Sequence, residues 1–109
     1  MYPSSVPWNV LSANVSVGIL TDGWNLDDAV DFDPDDVRTF IVNVTFVSMF
    51  MEIPVVHLGL TGFDIDQRDS GRISLKAEAI TEFGFQAVIS TWSTTRVYAV
   101  AFSWVAIGR

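Results

Sequence analysis

Residues 84–107 read G-F-Q-A-V-I-S-T-W-S-T-T-R-V-Y-A-V-A-F-S-W-V-A-I, and this stretch decides the fold. Beyond Gly84 it contains neither proline nor glycine. Two β-rich runs, Phe85–Thr91 and Val97–Ile107, flank a polar Trp92-Ser93-Thr94-Thr95-Arg96 turn. Strands joined by a short polar loop spell a β-hairpin, here without the Asn-Gly that would fix its turn type. Trp92 beside the loop and Tyr98 just past it are flat, apolar plates with a polar edge. Such plates stack on a sugar ring or anchor a partner.

The second arm of the hairpin carries a further message. Alternation sends Val97, Ala99, Ala101, Ser103, Val105 and Ile107 to one face, and Tyr98, Val100, Phe102, Trp104 and Ala106 to the other. An antiparallel sheet normally buries one face and wets the other. Both faces are apolar here, so both need cover. A sandwich partner covers one of them, and another copy of the protein is the simplest cover for the second.

Composition agrees with that reading. A chain of 109 residues makes one domain and buries about two-thirds of its unfolded surface. Half of its residues are hydrophobic and its mean hydropathy is +0.36. Even so, no uninterrupted apolar run approaches the roughly 20 residues of a helical membrane span. Apolar excess without such a segment points to an oligomer, whose interfaces resemble a core cut in half; a tightly packed monomer with a few exposed aromatics is the alternative. The net charge is −7, and Arg38, Arg68, Arg72, Lys76, Arg96 and Arg109 form no basic stripe. Nucleic-acid binding is therefore disfavoured. The absence of cysteine removes disulfides, thiol nucleophiles and thiolate metal sites. Residues 1–9 have neither the charged nor the apolar region of a signal peptide, and the expected place of action is extracellular, on a cell surface or on a virion.

Six strands are expected, near Ser12–Leu20, Arg38–Val47, Val55–Phe63, Arg72–Ile80, Phe85–Trp92 and Val97–Ile107, behind an N-terminal arm of residues 1–11. Phe40, Val42, Val44 and Phe46 alternate with Thr39, Ile41, Asn43 and Thr45, a period of two rather than 3.6. Turn material lies at Met51–Pro54, Gln67–Gly71 and Thr81–Gly84. Short strands, regular turns and no helical stretch predict an all-β antiparallel sandwich over residues 12–109.

The connection Thr21–Val37 is long, and connections of this kind are often functional. It carries Asp22, Asp27, Asp28, Asp31, Asp33, Asp35 and Asp36 together with Trp24 and Pro34. It can be a solvated acidic loop. It can be a calcium loop, because Asp31, Asp33 and Asp35 spell D-x-D-x-D, although Asp36 and Val42 stand where an EF-hand needs Gly and Glu. Or one carboxylate reaches a sugar as acceptor for ring hydroxyls.

From Trp24 to Ile107 the sequence resembles the H-type lectin domain of snail agglutinins and of the C-terminal part of discoidins. Gly23-Trp24 precedes the acidic loop, and Asn43-Val-Thr-Phe46 follows it. Pro54-Val-Val leads to Asp64, with Arg72 eight residues on. Gly84-Phe85, Thr91-Trp92, Thr95-Arg96-Val97-Tyr98 and Ser103-Trp104-Val105-Ala106 complete the order. The resemblance implies a six-stranded antiparallel sandwich assembling as a homotrimer, or a hexamer of paired trimers. It also implies non-catalytic binding of galactose or N-acetylgalactosamine near protomer junctions. The acceptor carboxylate falls on Asp35, the hydroxyl-binding guanidinium on Arg72, and the aromatic walls on Trp92 and Tyr98. Carboxylate and guanidinium suit vicinal hydroxyls, since charged partners make the stronger hydrogen bonds. Two positions depart from the snail pattern: Ser93 replaces the His after the site Trp, and Asp33 replaces a Gly two residues before the site Asp. Ser93 reaches less far, and Asp33 adds a carboxylate that suits an amino sugar or a differently substituted galactoside.

Bland readings stand beside these. Arg72 can salt-bridge Asp35 or Glu78 at the surface, and Trp92 and Tyr98 can plug an interface. Trp104 is expected in the core. His57, between Val56 and Leu58, is expected to be buried and satisfied rather than to ligate a metal. Asn14-Val-Ser and Asn43-Val-Thr are glycosylation sequons. No metal or cofactor is expected. A lone histidine supplies no serine triad, and the clustered Asp residues show no shielded acid for glycoside hydrolysis. The rival function is a trimeric cap or receptor-binding tip of a virus or cell-surface fibre, with or without sugar binding.

Overall fold

The computed structural model describes residues 7–28, 36–68 and 70–109. Six strands form: β1 (Asn9–Gly18), β2 (Val37–Thr45), β3 (Val55–Ile65), β4 (Ser74–Glu78), β5 (Gly84–Trp92) and β6 (Val97–Gly108). They build two three-stranded antiparallel sheets, ordered β1-β6-β3 and β2-β5-β4. The expected all-β fold of six antiparallel strands in two sheets is the fold observed. The 84–107 hairpin does not pair with itself. Its two arms are the central strands of opposite sheets, so the turn at residues 93–96 crosses from one layer to the other.

Period-two patterning explains the core. On β6, Val100, Phe102, Trp104 and Ala106 are buried, and on β5 so are Phe85, Ala87, Ile89 and Thr91. Trp104 is thus a core residue. Aromatic edges lock one end of the rod-shaped molecule, 57 Å long and 22 Å across. There Phe46 meets Phe50 at 5.2 Å and Trp104 at 5.7 Å, and Phe85 meets Trp104 at 5.5 Å. Edge-on contacts of this kind add to what area burial alone contributes. Gly84 belongs to this end because a Cβ there would stand 2.1 Å from the Val44 carbonyl oxygen.

The second face of β6 differs in detail from strict alternation. Ala99, Ala101, Ser103 and Val105 do point away from the core, and in the single chain they are only half-buried. Val97, expected to share that face, is instead fully buried. The cause is a bulge: Asp64 pairs with Ala99 but Ile65 pairs with Val97, so Tyr98 has no partner on β3. One extra residue reverses every side chain beyond it. Val97 N–H then donates to the Leu26 carbonyl at 2.8 Å, and Trp24 Nε1 donates to the Val97 carbonyl at 3.0 Å.

Two further expectations are corrected. Asn9–Leu11, placed in the arm, open β1 and pair with Gly108–Ala106. Without that run the end of β6 would be paired on one side only, with Val55 and Val56 of β3. His57 is exposed rather than buried, because its register opposite Val105 turns it to the outer face of its sheet.

One residue carries avoidable strain. Ala79, in the turn after β4, has a φ of 51°. The left-handed region costs a side-chain-bearing residue about 1–2 kcal/mol. That exceeds what the extra unfolded-state freedom of glycine takes away. Ala79→Gly should therefore raise stability by about 0.5–1 kcal/mol, read as an upward shift of the urea midpoint with an unchanged slope.

Candidate functional site

The described parts of three connections, residues 19–28 with 36, 66–68 with 70–73, and 93–96, meet at the end of the rod opposite the aromatic lock. Trp92 closes β5 opposite Val37, on the outer face of its sheet, and is 38% exposed. A core plug would not leave that much ring open. Ser93 follows with a φ of 60°, a strained geometry for a non-glycine residue and one found disproportionately at functional sites. Its N–H donates to the Asp36 carbonyl at 2.9 Å, which ties the exit of the acidic connection to the turn.

Arg72 lies along this turn. Thr91 Oγ1 donates to the Arg72 carbonyl, fixing the backbone beside β5. At the other end, Arg72 Nη1 donates to Thr95 Oγ1 at 2.8 Å, and Thr95 Oγ1 donates in turn to the Ser70 carbonyl at 2.7 Å. Anchored at Thr91 and at Thr95, the arginine runs past the turn bearing Trp92 and Ser93. Among the described residues it pairs with no carboxylate, and Glu78 in particular is not its partner. Arg72 Nη1 also donates to the Ser70 carbonyl at 3.4 Å; a guanidinium has five N–H donors, so anchors on Nη1 leave capacity for hydroxyls.

An acid–base pair lies in the same connection. Arg68 donates from Nε and Nη2 to the Asp66 carboxylate, and its hydrogen bonds hold that carboxyl well below the usual carboxylate range. A lowered value means that the pair's stabilisation is present above the ordinary carboxylate pKa and fades only in strong acid. It lies at the surface, where such pairs contribute little. Its position matters more, because Asp66 N–H donates to the Arg96 carbonyl at 2.9 Å and pins this connection to the turn.

Arg72 is thus tied to Thr91 and Thr95, the two residues that bracket Trp92 and Ser93 along the chain. Tyr98 lies on β6, past the bulge. The bulge turns it toward the end of β1, where it lines a shallow cleft of about 310 Å³ with Ser16–Thr21 and Ala99. Asp33 and Asp35, and the calcium reading of Asp31, Asp33 and Asp35, lie outside the described residues. Among the described residues no group of three or more His, Cys, Asp or Glu gathers to hold a metal.

Sequence reasoning missed Arg38 and Thr95. Arg38 is buried, with Nη1 donating to the Leu26 carbonyl and Nη2 to the carbonyls of Ser93 and Thr95. The signal was available. Arg38 is in phase with Phe40, Val42 and Val44, on the core-facing side of its strand. An inward arginine needs partners, and the loop carbonyls supply them.

With this geometry in view, comparison with known proteins is informative. The sequence model of the H-type lectin domain matches residues 41–107, more than half of the chain. The chain belongs to the H-type lectin domain family. It is 41% identical over 71 residues to the protein named ATP synthase subunits region ORF 7 from Fuscovulum blasticum, covering 65% of this chain and 62% of that one. To Discoidin-2 of Dictyostelium discoideum it is 33% identical over 72 residues, covering 64% of this chain and 28% of that one. The solved structure of recombinant discoidin II superimposes with a TM-score of 0.76 at 26% identity, over 99% of this chain and 40% of the other. The chain therefore spans less than two-thirds of the length of each. Membership supports carbohydrate binding as the general function of this lectin domain.

Proposed function

We propose that the protein is a non-catalytic, multivalent lectin for galactose- or N-acetylgalactosamine-type glycans. Arg72 and Ser93 give hydrogen bonds to ring hydroxyls, Trp92 stacks on the apolar C–H face of the pyranose, and Asp33 and Asp35 act as acceptors. The observation that carries this reading is Arg72. It is held at both ends by Thr91 and Thr95, which bracket the exposed Trp92 in sequence, without a carboxylate partner among the described residues.

The same reading includes a homotrimer. Outward residues of the β1-β6-β3 sheet form three matched rows. At one end stand Val10, Ile107 and Val55. At the other stand Gly18 and Ser16 beside Ala99 and Ala101, with Gly62. Val10 and Val55 are 62% and 72% exposed in the single chain. An apolar, small-residue face on this scale suits close approach of another sheet. Tyr98 adjoins this face beside Ser16, Gly18 and Ala99, so in this reading it stands at the junction with a neighbouring copy.

A monosaccharide in such an open site should bind with a Kd on the order of 0.1–1 mM, roughly −4 to −5.5 kcal/mol. Three sites on one rigid body then raise apparent affinity for clustered glycans by about 10²–10⁴. A glycan array on the purified protein tests the sugar class, and an array without galactose-type hits removes the reading. Binding here uses no cation, so EDTA should leave the calorimetric Kd unchanged. Loss with chelator and recovery with calcium would instead reassign the Asp31, Asp33 and Asp35 run as a metal loop.

A further inference from the structure

Arg38 is buried to 7% exposure, and no part of the proposed sugar chemistry uses it. Its guanidinium nevertheless grips two of the chain segments from which the site is built, at Leu26 and Asp36 and at the 93–95 turn. Nη1 donates to the Leu26 carbonyl at 3.1 Å, in the connection that carries the acidic residues. Nη2 donates to the Ser93 carbonyl at 2.9 Å and to the Thr95 carbonyl at 2.8 Å, on either side of the turn. Nε lies 3.0 Å from the Asp36 carboxylate, which neutralises the buried charge. These contacts join three stretches far apart in sequence, at separations of 12, 55 and 57 residues.

Two of the grips fall on groups that the site depends on. Ser93 holds a left-handed backbone, and such a conformation persists only where its surroundings impose it. Arg38 supplies one side of that restraint through the Ser93 carbonyl, and Asp36 the other by accepting the Ser93 N–H. Thr95 is fully buried, and while its carbonyl accepts from Arg38, its Oγ1 accepts from Arg72. The sugar-facing guanidinium is thus set by a buried guanidinium one residue away.

We propose that Arg38 is the positioning residue of the glycan site, acting through a relay from Arg38 to Thr95 to Arg72 and through the Ser93 carbonyl. This rests on the sugar-site reading above. Asp36, held by both Arg38 and Ser93, directly follows Asp35 in sequence, so the same cradle sets the exit of the acidic segment beside the aromatic turn. Lysine cannot replace arginine in this role. A single ammonium lacks the planar fork that addresses several carbonyls from one side chain.

The test is calorimetry with galactose and N-acetylgalactosamine on the wild type, Arg38→Lys, Thr95→Val and Thr95→Ser, each well below its melting temperature, with circular dichroism to confirm folding. The expected result is a Kd at least tenfold weaker for Arg38→Lys and Thr95→Val, and within threefold of wild type for Thr95→Ser, which keeps the hydroxyl. A purely structural Arg38 would lower the melting temperature and leave the Kd of the folded protein alone. Folded Arg38→Lys binding within twofold of wild type overturns the proposal while the sugar site stands. If Arg38→Lys does not fold, the threonine pair decides: equal binding by Thr95→Val and Thr95→Ser overturns the relay. A wild type that binds neither these sugars nor any galactose-type glycan overturns the sugar-site reading itself.

Discussion

Ala101→Asp and Val105→Asp are each expected to convert the assembled protein into monomers or to unfold it, as read by sedimentation at micromolar concentration. Both residues lie on the outward row of β6, in the middle of its three-stranded sheet. The row beside Ala101 is Ser16 and Gly62, and the row beside Val105 is Ser12 and His57. Neither offers a positively charged arginine or lysine to a new carboxylate. Covered by a second protomer, that carboxylate is a buried, unpaired charge, which costs about 3–5 kcal/mol. On a face that stays in water the same change costs almost nothing, because these side chains are already half open. A wild type that sediments as a stable monomer refutes the trimer and with it the junctional location of the sugar site.

The other large effect is expected at the site. Arg72→Ala should weaken monosaccharide binding by at least tenfold, to beyond measurement for a sugar that starts near millimolar. Hydrogen bonds to charged groups are worth about 1.5–3 kcal/mol each, which is a factor of roughly 10–150. Trp92→Ala should do likewise by removing the stacking face. Neither change should alter the assembly, since Trp92 stands on the outer face of the β2-β5-β4 sheet and not on the one proposed for contact. The reverse outcome, with Trp92→Ala giving monomers and Arg72→Ala leaving glycan binding intact, makes the cluster structural and favours the trimeric cap or fibre tip.

Reading the sequence reached unequal depths in different parts of the molecule. The strands were legible because each records its own burial in a two-residue period. Phe40, Val42 and Val44 on β2, and Val100, Phe102 and Trp104 on β6, announce a core face without reference to anything else. Where two strands must negotiate, that local record fails. The bulge opposite Asp64 and Ile65 turned Val97 inward and Tyr98 aside, and the start of β1 was settled by the length of β6 rather than by its own composition. His57 is a case of the same kind, its exposure fixed by its register against Val105.

The candidate site shows the same division. Residue type alone pointed to Trp92 and Tyr98 as stacking plates, while Arg72, Ser93, Asp33 and Asp35 entered through the order of residues shared with the family. What holds them was invisible along the chain. Arg38 joins Leu26, Ser93 and Thr95 across as many as 57 residues, and Thr95 serves Arg72 from 23 residues away. By itself the sequence determined an all-β sandwich, from local pattern, and membership of the H-type lectin family, from the shared order of its motifs, and with them the chemical character of the residues proposed for the site. Only the tertiary structure decided which side of each strand faces the core near the bulge, that Tyr98 lines the cleft at the end of β1, and that a buried arginine grips the turn. Those outcomes depend on hydrogen bonds and register between distant segments, which no local pattern encodes.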